Sequence, residues 1–275
     1  MPNSYIKESN LFIETCVKDG RTILKDSYFT APFKITSPFY NEEDNRMKLC
    51  IMSVSPGMLE GDRYKIKYVL NAGSRLHIFS QSYNKVFSMK QDCAKQDIEV
   101  TIKDGASLEY YLYPTIPYKD SAFRGTAKFA LHGESDLLYR EIMSCGRYAM
   151  GEKFDFKEFS SKVSIYMDEK LIFFDNTHLE PKLQQLQDMG IYEGFTHAAN
   201  VFIANKRLSY EIKKNLQNIL KEYDSIEYGI SIPYEFIMVV RILGKSSDKL
   251  MKITDRLKDE ISAILSIKNK GQGPA

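Results

Sequence analysis

The sequence predicts a mainly β protein of stacked hairpins with β-helix or solenoid-like character, followed by two C-terminal helices. Three observations support this fold class. Apolar and polar residues alternate over short segments, which is the pattern of a half-buried strand. One such pattern recurs at intervals of about 30 residues, a spacing typical of repeat architectures. The chain also contains 18 Tyr and 16 Phe but no Trp, and aromatic residues favour strands.

The N-terminal part begins with a predicted hairpin between residues 11–17 and 22–25, because residues 18–20 supply a glycine-containing turn. Residues 29–40 contain two prolines. Proline lacks the N–H donor that a β-ladder needs, so this segment is interpreted as an edge strand or loop. Residues 48–55 form the next predicted strand and lead into the repeats.

The repeats form the central part of the chain. Residues 66–80 align without gaps on residues 98–112 and more weakly on residues 127–141. Each copy consists of two apolar stretches joined by a polar turn, which we interpret as a hairpin. A shorter hairpin follows at 163–174 and turns at 167–169. Hairpins repeated in this way are expected to stack on their neighbours and share a core.

The composition changes after about Pro181. We therefore divide the chain into a stacked β-hairpin body, 1–181, and an α+β part, 182–275, packed on the body as one structural unit. Apolar residues at helical spacing predict helices over 209–223 and 247–266. The strands predicted in this part are 195–204, 226–232 and 236–243.

Length and charge narrow the class of protein. The chain has 275 residues, of which 43% are hydrophobic and 27% charged, and a formal net charge of +2, which is typical of a soluble globular protein. This charge does not indicate nucleic acid or an anionic membrane as a partner. The sequence contains no run of about 18 apolar residues that would predict a membrane-spanning helix, and its first residues do not have the pattern of a signal peptide. A cytoplasmic protein is therefore expected. The four cysteines form no CxxC motif and are expected to be free thiols.

Polar residues held by packed strands are better candidates for a function than charges on loose loops. One group of such residues flanks the first predicted hairpin of the repeats. A second group follows the third, where two glycines permit close backbone approach. The candidates are Asp62, Ser82, Lys85, Glu141, Arg147 and Glu152.

Several short motifs stand in a fixed order along the chain. They are Pro56-Gly57 with Gly61-Asp62, Gln81-Ser82 with Lys85, the PTIPY segment at 114–118, and Gly146-Arg147 with Gly151-Glu152. This order resembles the urease accessory protein family called UreD, or UreH in Helicobacter. The similarity covers nearly the whole chain, and segments 27–40 and 168–181 are especially similar to the Helicobacter-type members.

The resemblance implies a non-enzymatic protein that joins UreF and the GTPase UreG on urease apoprotein and helps to insert nickel into its active site. It implies a largely β, helix-like stack of strands with a nickel path through it, and it is compatible with a dimer of the accessory complex. The family's acidic residue, lysine and GR…GE motif fall on Asp62, Lys85, Arg147 and Glu152. One departure is visible: the family's double glycine is Pro56-Gly57 here, which leaves the geometry of that turn open.

Nickel accepts imidazole, thiolate and, less tightly, carboxylate ligands. The four histidines form no HxH or HxxxH motif, so no tightly bound cofactor is expected, and nickel is treated as cargo in transit. His77, inside a predicted strand, is expected to be structural or solvent-facing. The expected lining of the path consists of the carboxylates Asp62, Glu141 and Glu152 with the neutral partners Ser80 and Ser82.

Each candidate carboxylate also has a purely structural interpretation as one half of an ion pair. Asp62 would pair with Arg63 or Lys85, and Glu152 with Arg147. Surface pairs of this kind are common and need no function. The sequence alone does not decide between pairing and a path.

Two other functions stay open. Glu141 and Glu152 could form the acid/base pair of a hydrolase or lyase on a β-solenoid, although no GxSxG motif occurs. The second of these functions is that of a structural adaptor without a metal role. No P-loop motif occurs either, so any dependence on GTP must come from a partner. Two surfaces are candidates for partner contacts. One is the segment 110–118 with its four tyrosines, of which two are expected to serve core packing instead. The other is the polar face of the last helix, for which a purely solvated face is the alternative. The resemblance implies that the C-terminal part meets UreF.

Overall fold

The computed structural model describes residues 8–40 and 45–270. Its strands are β1 (Glu8–Lys18), β2 (Arg21–Phe29), β3 (Phe33–Ile35), β4 (Phe39–Tyr40), β5 (Met47–Ser53), β6 (Arg63–Leu70), β7 (Arg75–Ser80), β8 (Asn84–Val86), β9 (Ala94–Ile102), β10 (Ser107–Tyr111), β11 (Thr115–Pro117), β12 (Ala122–Leu131), β13 (Asp136–Ser144), β14 (Glu158–Met167), β15 (Lys170–Leu179), β16 (His197–Ala204), β17 (Glu227–Tyr234) and β18 (Ile237–Gly244). Its helices are α1 (Tyr210–Lys221) and α2 (Ser247–Lys270).

Two sheets face each other across a shared core. The first has the strand order β15-β14-β12-β9-β6-β1-β2, and the second has the main order β17-β18-β16-β13-β10-β7-β5-β3. Successive repeats add one strand to each sheet, and the strands β6, β9, β12 and β14 pair in parallel, as do β5, β7, β10 and β13. This is a solenoid-like stack, and the mainly β fold class with two C-terminal helices is confirmed.

The structure corrects the pairing inside the repeats. The hairpins predicted at 66–80, 98–112 and 127–141 are not hairpins, because the two strands of each copy lie in different sheets. β6 pairs with β1 and β9, whereas β7 pairs with β5 and β10. A short turn that leads from one sheet to the other leaves the same alternation of apolar residues as a hairpin, because in both cases two strands follow each other around a short turn.

The alignment of the repeats is also their hydrogen-bond register. Ile66 pairs with Ile98, and Leu76 pairs with Leu108, as in the gap-free alignment. True hairpins occur where they were predicted at the two ends of the first sheet. β1 and β2 pair antiparallel, and so do β14 and β15.

The strands begin and end at two opposite sides of the sandwich, and the connections at these two sides differ. At one side, short turns lead from the first sheet to the second. At the other side, longer connections lead back from the second sheet to the first. These connections, which we call arches, are residues 54–62, 81–93, 112–121 and 145–157. The short strands β8 and β11 pair with each other inside these arches, and Met58 bridges to Val86.

The C-terminal part continues the second sheet. β16 pairs antiparallel with β13 and β18 with β16, so the predicted division at Pro181 does not interrupt the hydrogen-bonded ladder. The two helices cover the outer face of this sheet and bury a second apolar cluster there. The Ser209 hydroxyl accepts a hydrogen bond from the backbone of Ile212 and caps α1. Both predicted apolar stripes are confirmed, with Leu250, Ile253, Leu257 and Ile261 fully buried in α2.

Within residues 8–40 and 45–270, neither helix combines the length and the apolar character that a membrane crossing requires.

Candidate functional site

A cavity of about 280 Å³ lies between the two sheets. Its lining includes inward-facing residues of β6, β9, β12 and β14 on one side and of β7, β10 and β13 on the other, so it extends across successive repeats. At the arches, Ser82 and Lys85 contribute to the wall. Along the stack of strands, the lining reaches as far as Thr177 of β15 and Asn200 of β16.

Glu141 is the one carboxylate among the described residues that line this cavity. It is an inward-facing residue of β13, two positions after Tyr139. Its Oε1 atom accepts hydrogen bonds from the Tyr139 hydroxyl at 2.7 Å and, across the gap between the sheets, from the Ser161 hydroxyl at 2.8 Å. Burial raises the pKa of the Glu141 carboxyl above its ordinary value, and the two hydrogen bonds partly oppose this shift.

The raised pKa of Glu141 predicts a pH-dependent stability. Because the folded protein holds this proton more tightly than the unfolded chain, Glu141 destabilises the fold increasingly as pH rises above the ordinary carboxyl pKa of 4.5. Glu141→Gln mimics the protonated form. We expect this variant to unfold at higher urea concentration than wild type at pH 8 and at the same concentration near pH 4.

The exposed Glu99 on the outer face of β9 provides a matched control for this measurement. Because its side chain is exposed, Glu99→Gln should leave the urea midpoint at pH 8 close to that of wild type. Equal urea midpoints for Glu141→Gln and wild type at both pH values would show that the ionised Glu141 carboxylate does not destabilise the fold.

Ser82 and Lys85 lie at the mouth of the cavity. The Lys85 carbonyl accepts a hydrogen bond from the Met58 N–H at 2.7 Å, so this arch is held against the preceding one. Ser80, the neutral partner expected from the sequence, also lines the cavity, and its hydroxyl accepts from the Tyr113 N–H at 2.9 Å. The mouth is therefore formed by backbone segments tied to one another.

Asp62 lies in an arch at the same end but outside the cavity lining. Its carboxylate accepts a hydrogen bond from the Leu59 N–H at 2.8 Å and closes the turn before β6. The expected partner Arg63 instead pairs with Asp92 at 2.8 Å, although its guanidinium also donates to the Asp62 carbonyl at 3.0 Å. In the structure, Asp62 thus stabilises a turn.

Arg147 and Glu152 form the ion pair that the structural interpretation predicted, and they also lie outside the cavity lining. The Arg147 Nε atom donates to the Glu152 carboxylate at 3.0 Å, and the Lys119 N–H donates to it at 3.2 Å. These contacts, mainly the one with Arg147, lower the pKa of Glu152. The Arg147 guanidinium stacks on Tyr118 with 4.3 Å to the ring centre. The pair fastens two arches together.

The cavity does not hold both carboxylates of the acid/base pair considered for an enzyme. Glu141 lines the cavity, whereas Glu152 is buried against Arg147 in an arch. The geometry therefore gives no support to a hydrolase or lyase built on these two residues. Within the described part of the chain, no group of three or more His, Cys, Asp or Glu side chains is placed to hold a metal ion.

His77 points away from the cavity, on the outer face of the second sheet, which fits the expected structural role. Its Nδ1 atom lies 3.4 Å from Glu109, and the Ser262 hydroxyl of α2 donates to the same carboxylate at 3.0 Å. Burial, assisted by nearby cations, lowers the pKa of His77 to about 3, so the ring is neutral at physiological pH. It belongs to the polar contacts that seat α2.

The tyrosine-rich segment divides as the strand period requires. Tyr110 faces the core between the sheets, and Tyr111 is buried under the helices. Tyr113 is exposed and Tyr118 is half-buried. The prediction that about half of these rings serve core packing is confirmed.

Sequence reasoning missed several polar residues of the cavity wall, among them Ser161, Thr177 and Asn200. Ser161 and Thr177 face each other on β14 and β15, and Asn200 stands opposite Glu141 on β16. Each occupies an inward position in a strand whose other inward residues are mostly apolar. A polar residue at such a position was the signal that could have identified them.

The chain is similar in sequence to one family of known proteins over most of its length. The model of the UreD urease accessory protein family matches residues 8–268. A urease accessory protein UreD of Acetivibrio thermocellus is 43% identical over 253 residues, which cover 92% of this chain and 97% of that protein. A urease accessory protein UreH of Helicobacter pylori strain G27 is 31% identical over 256 residues, covering 93% and 95%.

A third relative, a urease accessory protein UreD of Flavobacterium johnsoniae, is 34% identical over 245 residues, which cover 88% of each chain. The family match spans the stacked sheets and includes α1 and nearly all of α2. The similarity therefore extends over the whole fold and is not confined to one motif. The chain belongs to the UreD urease accessory protein family.

Proposed function

We propose that this protein is a non-enzymatic accessory of urease maturation that acts with UreF and the GTPase UreG on urease apoprotein in the cytoplasm. In this proposal it helps to insert nickel into the active site, and the cavity between the sheets is the route of the ion. Membership of the family supports the role in maturation. The observation that supports a route is the cavity, whose lining crosses successive repeats and includes the half-buried carboxylate of Glu141.

The chemistry of the wall suits passage better than storage. Only one oxygen of Glu141 is engaged, since both the Tyr139 and the Ser161 hydroxyls donate to Oε1. Oε2 accepts no hydrogen bond from the described residues and is available to a cation. Oxygen ligands bind nickel less tightly than imidazole or thiolate, so an ion held by one carboxylate and water can leave again.

The arches form the entrance in this proposal. Ser82 and Lys85 line the mouth, and Asp62, Arg147 and Glu152 lie in arches at the same end. Asp62 closes the turn within its own arch by a hydrogen bond. The Arg147–Glu152 pair holds its arch against the neighbouring one through Lys119 and Tyr118. The contribution of Asp62, Arg147 and Glu152 to nickel transfer would then be to keep the mouth in shape.

Urease activation in a heterologous host tests the route. Urease subunits and the other accessory proteins would be co-expressed with wild type, Glu141→Gln or the control Glu99→Gln, and urease activity and nickel per urease would be measured. Glu141→Gln keeps the size of the side chain but removes the charge. We expect it to lower activation by about tenfold or more, with the accessory complex still co-purifying, while Glu99→Gln behaves as wild type.

Full activation by Glu141→Gln would remove the nickel route and leave the alternative of a structural adaptor. Loss of both activation and co-purification would assign the effect to assembly and would contradict the route as well. Loss of activation with an intact complex supports the proposal.

A further inference from the structure

A second polar contact crosses the gap between the sheets beside Glu141. Arg241 of β18 donates to Asp175 of β15 at 2.5 Å and to the Asn200 side chain of β16 at 3.1 Å. β15 is the edge strand of the first sheet, and β16 and β18 belong to the second. The guanidinium therefore joins the two sheets at the edge of the sandwich.

This contact lies at the end of the cavity remote from Ser82. Asn200 lines the cavity and stands in register between Glu141 and Arg241. The Arg241 side chain is 49% exposed, whereas that of Asp175 is only 13% exposed. Arg241 thus connects the cavity wall, through Asn200, with the solvent outside.

Asp175 is incompletely satisfied. Arg241 engages its Oδ1 atom, but its Oδ2 atom is buried and has no hydrogen-bond partner in the described part of the chain. A buried carboxylate oxygen without a partner is costly. The charges of Asp175 and Arg241 also act in opposite directions on the Glu141 carboxyl, so the three groups are within electrostatic reach of one another.

We propose that the Arg241 side chain takes the place of a cation at Asp175 and that this ion pair closes the far end of the cavity. The inference rests on the proposed function, because it supposes that a divalent cation travels along the cavity. An ion leaving Glu141 would displace the guanidinium from Asp175, and the half-exposed arginine would swing toward solvent. After release of the ion, Arg241 would return and prevent Asp175 from retaining the next one.

The charges of these groups favour the exchange in both directions. With Arg241 in place, Asp175 is neutralised by a monovalent group on the same chain, so no free anion holds the cation at the exit. Without Arg241, Asp175 would be a second carboxylate without a paired cation within electrostatic reach of Glu141. Oxygen ligands of this kind increase retention, which is the opposite of what transfer requires.

Nickel binding to the isolated protein tests the proposal, with nickel sulfate as the probe in equilibrium dialysis. Arg241→Met is expected to bind nickel at least about fivefold more tightly than wild type. The double variant Asp175→Asn with Arg241→Met should lose this gain. Arg256→Met is the matched control, since Arg256 pairs with Glu222 on the helical surface, where both side chains are about half exposed.

A second readout is urease activation in the heterologous host. Arg241→Met should lower activation because the ion is retained, and Arg241→Lys should restore part of it because it replaces the charge. Circular dichroism checks the fold, and Arg241→Gln serves in the dialysis experiment if Arg241→Met does not fold. Unchanged nickel affinity in the folded Arg241 variant would overturn the proposal.

Failure of the nickel route itself has a different signature. In that case Glu141→Gln activates urease fully, whatever the dialysis of the Arg241 variants shows. If instead Glu141→Gln lowers activation while the Arg241 variants match wild type in affinity and activation, the route stands and only the role of Arg241 is wrong.

Discussion

Gly57→Val is expected to lower the free energy of unfolding by at least about 3 kcal/mol and to reduce urease activation together with it. A Cβ atom at Gly57 would lie 2.5 Å from the Lys85 carbonyl oxygen, 2.6 Å from the Phe87 ring and 2.9 Å from the Lys85 Cβ. The nearest of these atoms belongs to the backbone, so the arch at the cavity mouth must move as a whole.

Thermal unfolding measures the effect of Gly57→Val. A loss of this size corresponds to a fall in Tm of roughly 6 °C or more for a domain of this length. Gly229→Val is the control, because a Cβ at Gly229 of β17 meets nothing within 4 Å and valine favours strands. Equal melting temperatures for Gly57→Val and Gly229→Val would show that the approach of the two arches is not as close as the structure indicates.

This result bears on the departure from the family motif. The family's double glycine is Pro56-Gly57 in this chain, and the geometry of the turn was open from the sequence. In the structure, Gly57 is the position that contacts Lys85. The glycine that remains is therefore the one for which the neighbouring backbone leaves no room for a side chain.

Leu257→Ala is expected to destabilise the protein by about 2–5 kcal/mol. Leu257 is fully buried between α2 and the outer face of the second sheet. The helix is also held by Arg140, whose guanidinium donates to Thr254 at 2.9 Å, to Asp255 at 2.9 Å and to the Leu112 carbonyl at 2.9 Å. These polar contacts fix the position of α2, so the truncated site cannot close by sliding the helix inward.

Urea unfolding followed by circular dichroism measures the loss. The exposed Lys252 on the same helix is the control, and Lys252→Ala should stay within about 0.5 kcal/mol of wild type. A Leu257→Ala variant as stable as Lys252→Ala would mean that α2 contributes little to the fold and is free to leave the sheet.

Sequence patterns described the strands more reliably than their partners. Ile66, Ile98 and Ala127 were aligned as equivalent positions, and the structure places them side by side on β6, β9 and β12. The same pattern gave the wrong partner within each repeat. Side chains alternate with a period of two in every strand, whether the next strand lies in the same sheet or in the facing one. Alternation therefore does not show which strand receives the hydrogen bonds.

The candidate site was predicted in part. Glu141, Ser80, Ser82 and Lys85 line the cavity, whereas Asp62, Arg147 and Glu152 hold the arches. Nearness in sequence placed Glu141 with Glu152, but β13 carries Glu141 between the sheets, and the chain has turned into an arch before it reaches Glu152. Asn200 and Arg241 escaped notice because they join the site only through the pairing of β16 with β13 and β18.

The sequence by itself determined the local periods, the register of the repeats, the two amphipathic helices and the family, because each of these is written in residues close to one another or in their order. Only the tertiary structure decided which strands face each other, and with that the cavity, the burial of Glu141 and the contact of Arg241 with Asp175. Those properties depend on the distance between two sheets, and that distance is set by the packing of side chains far apart in the chain.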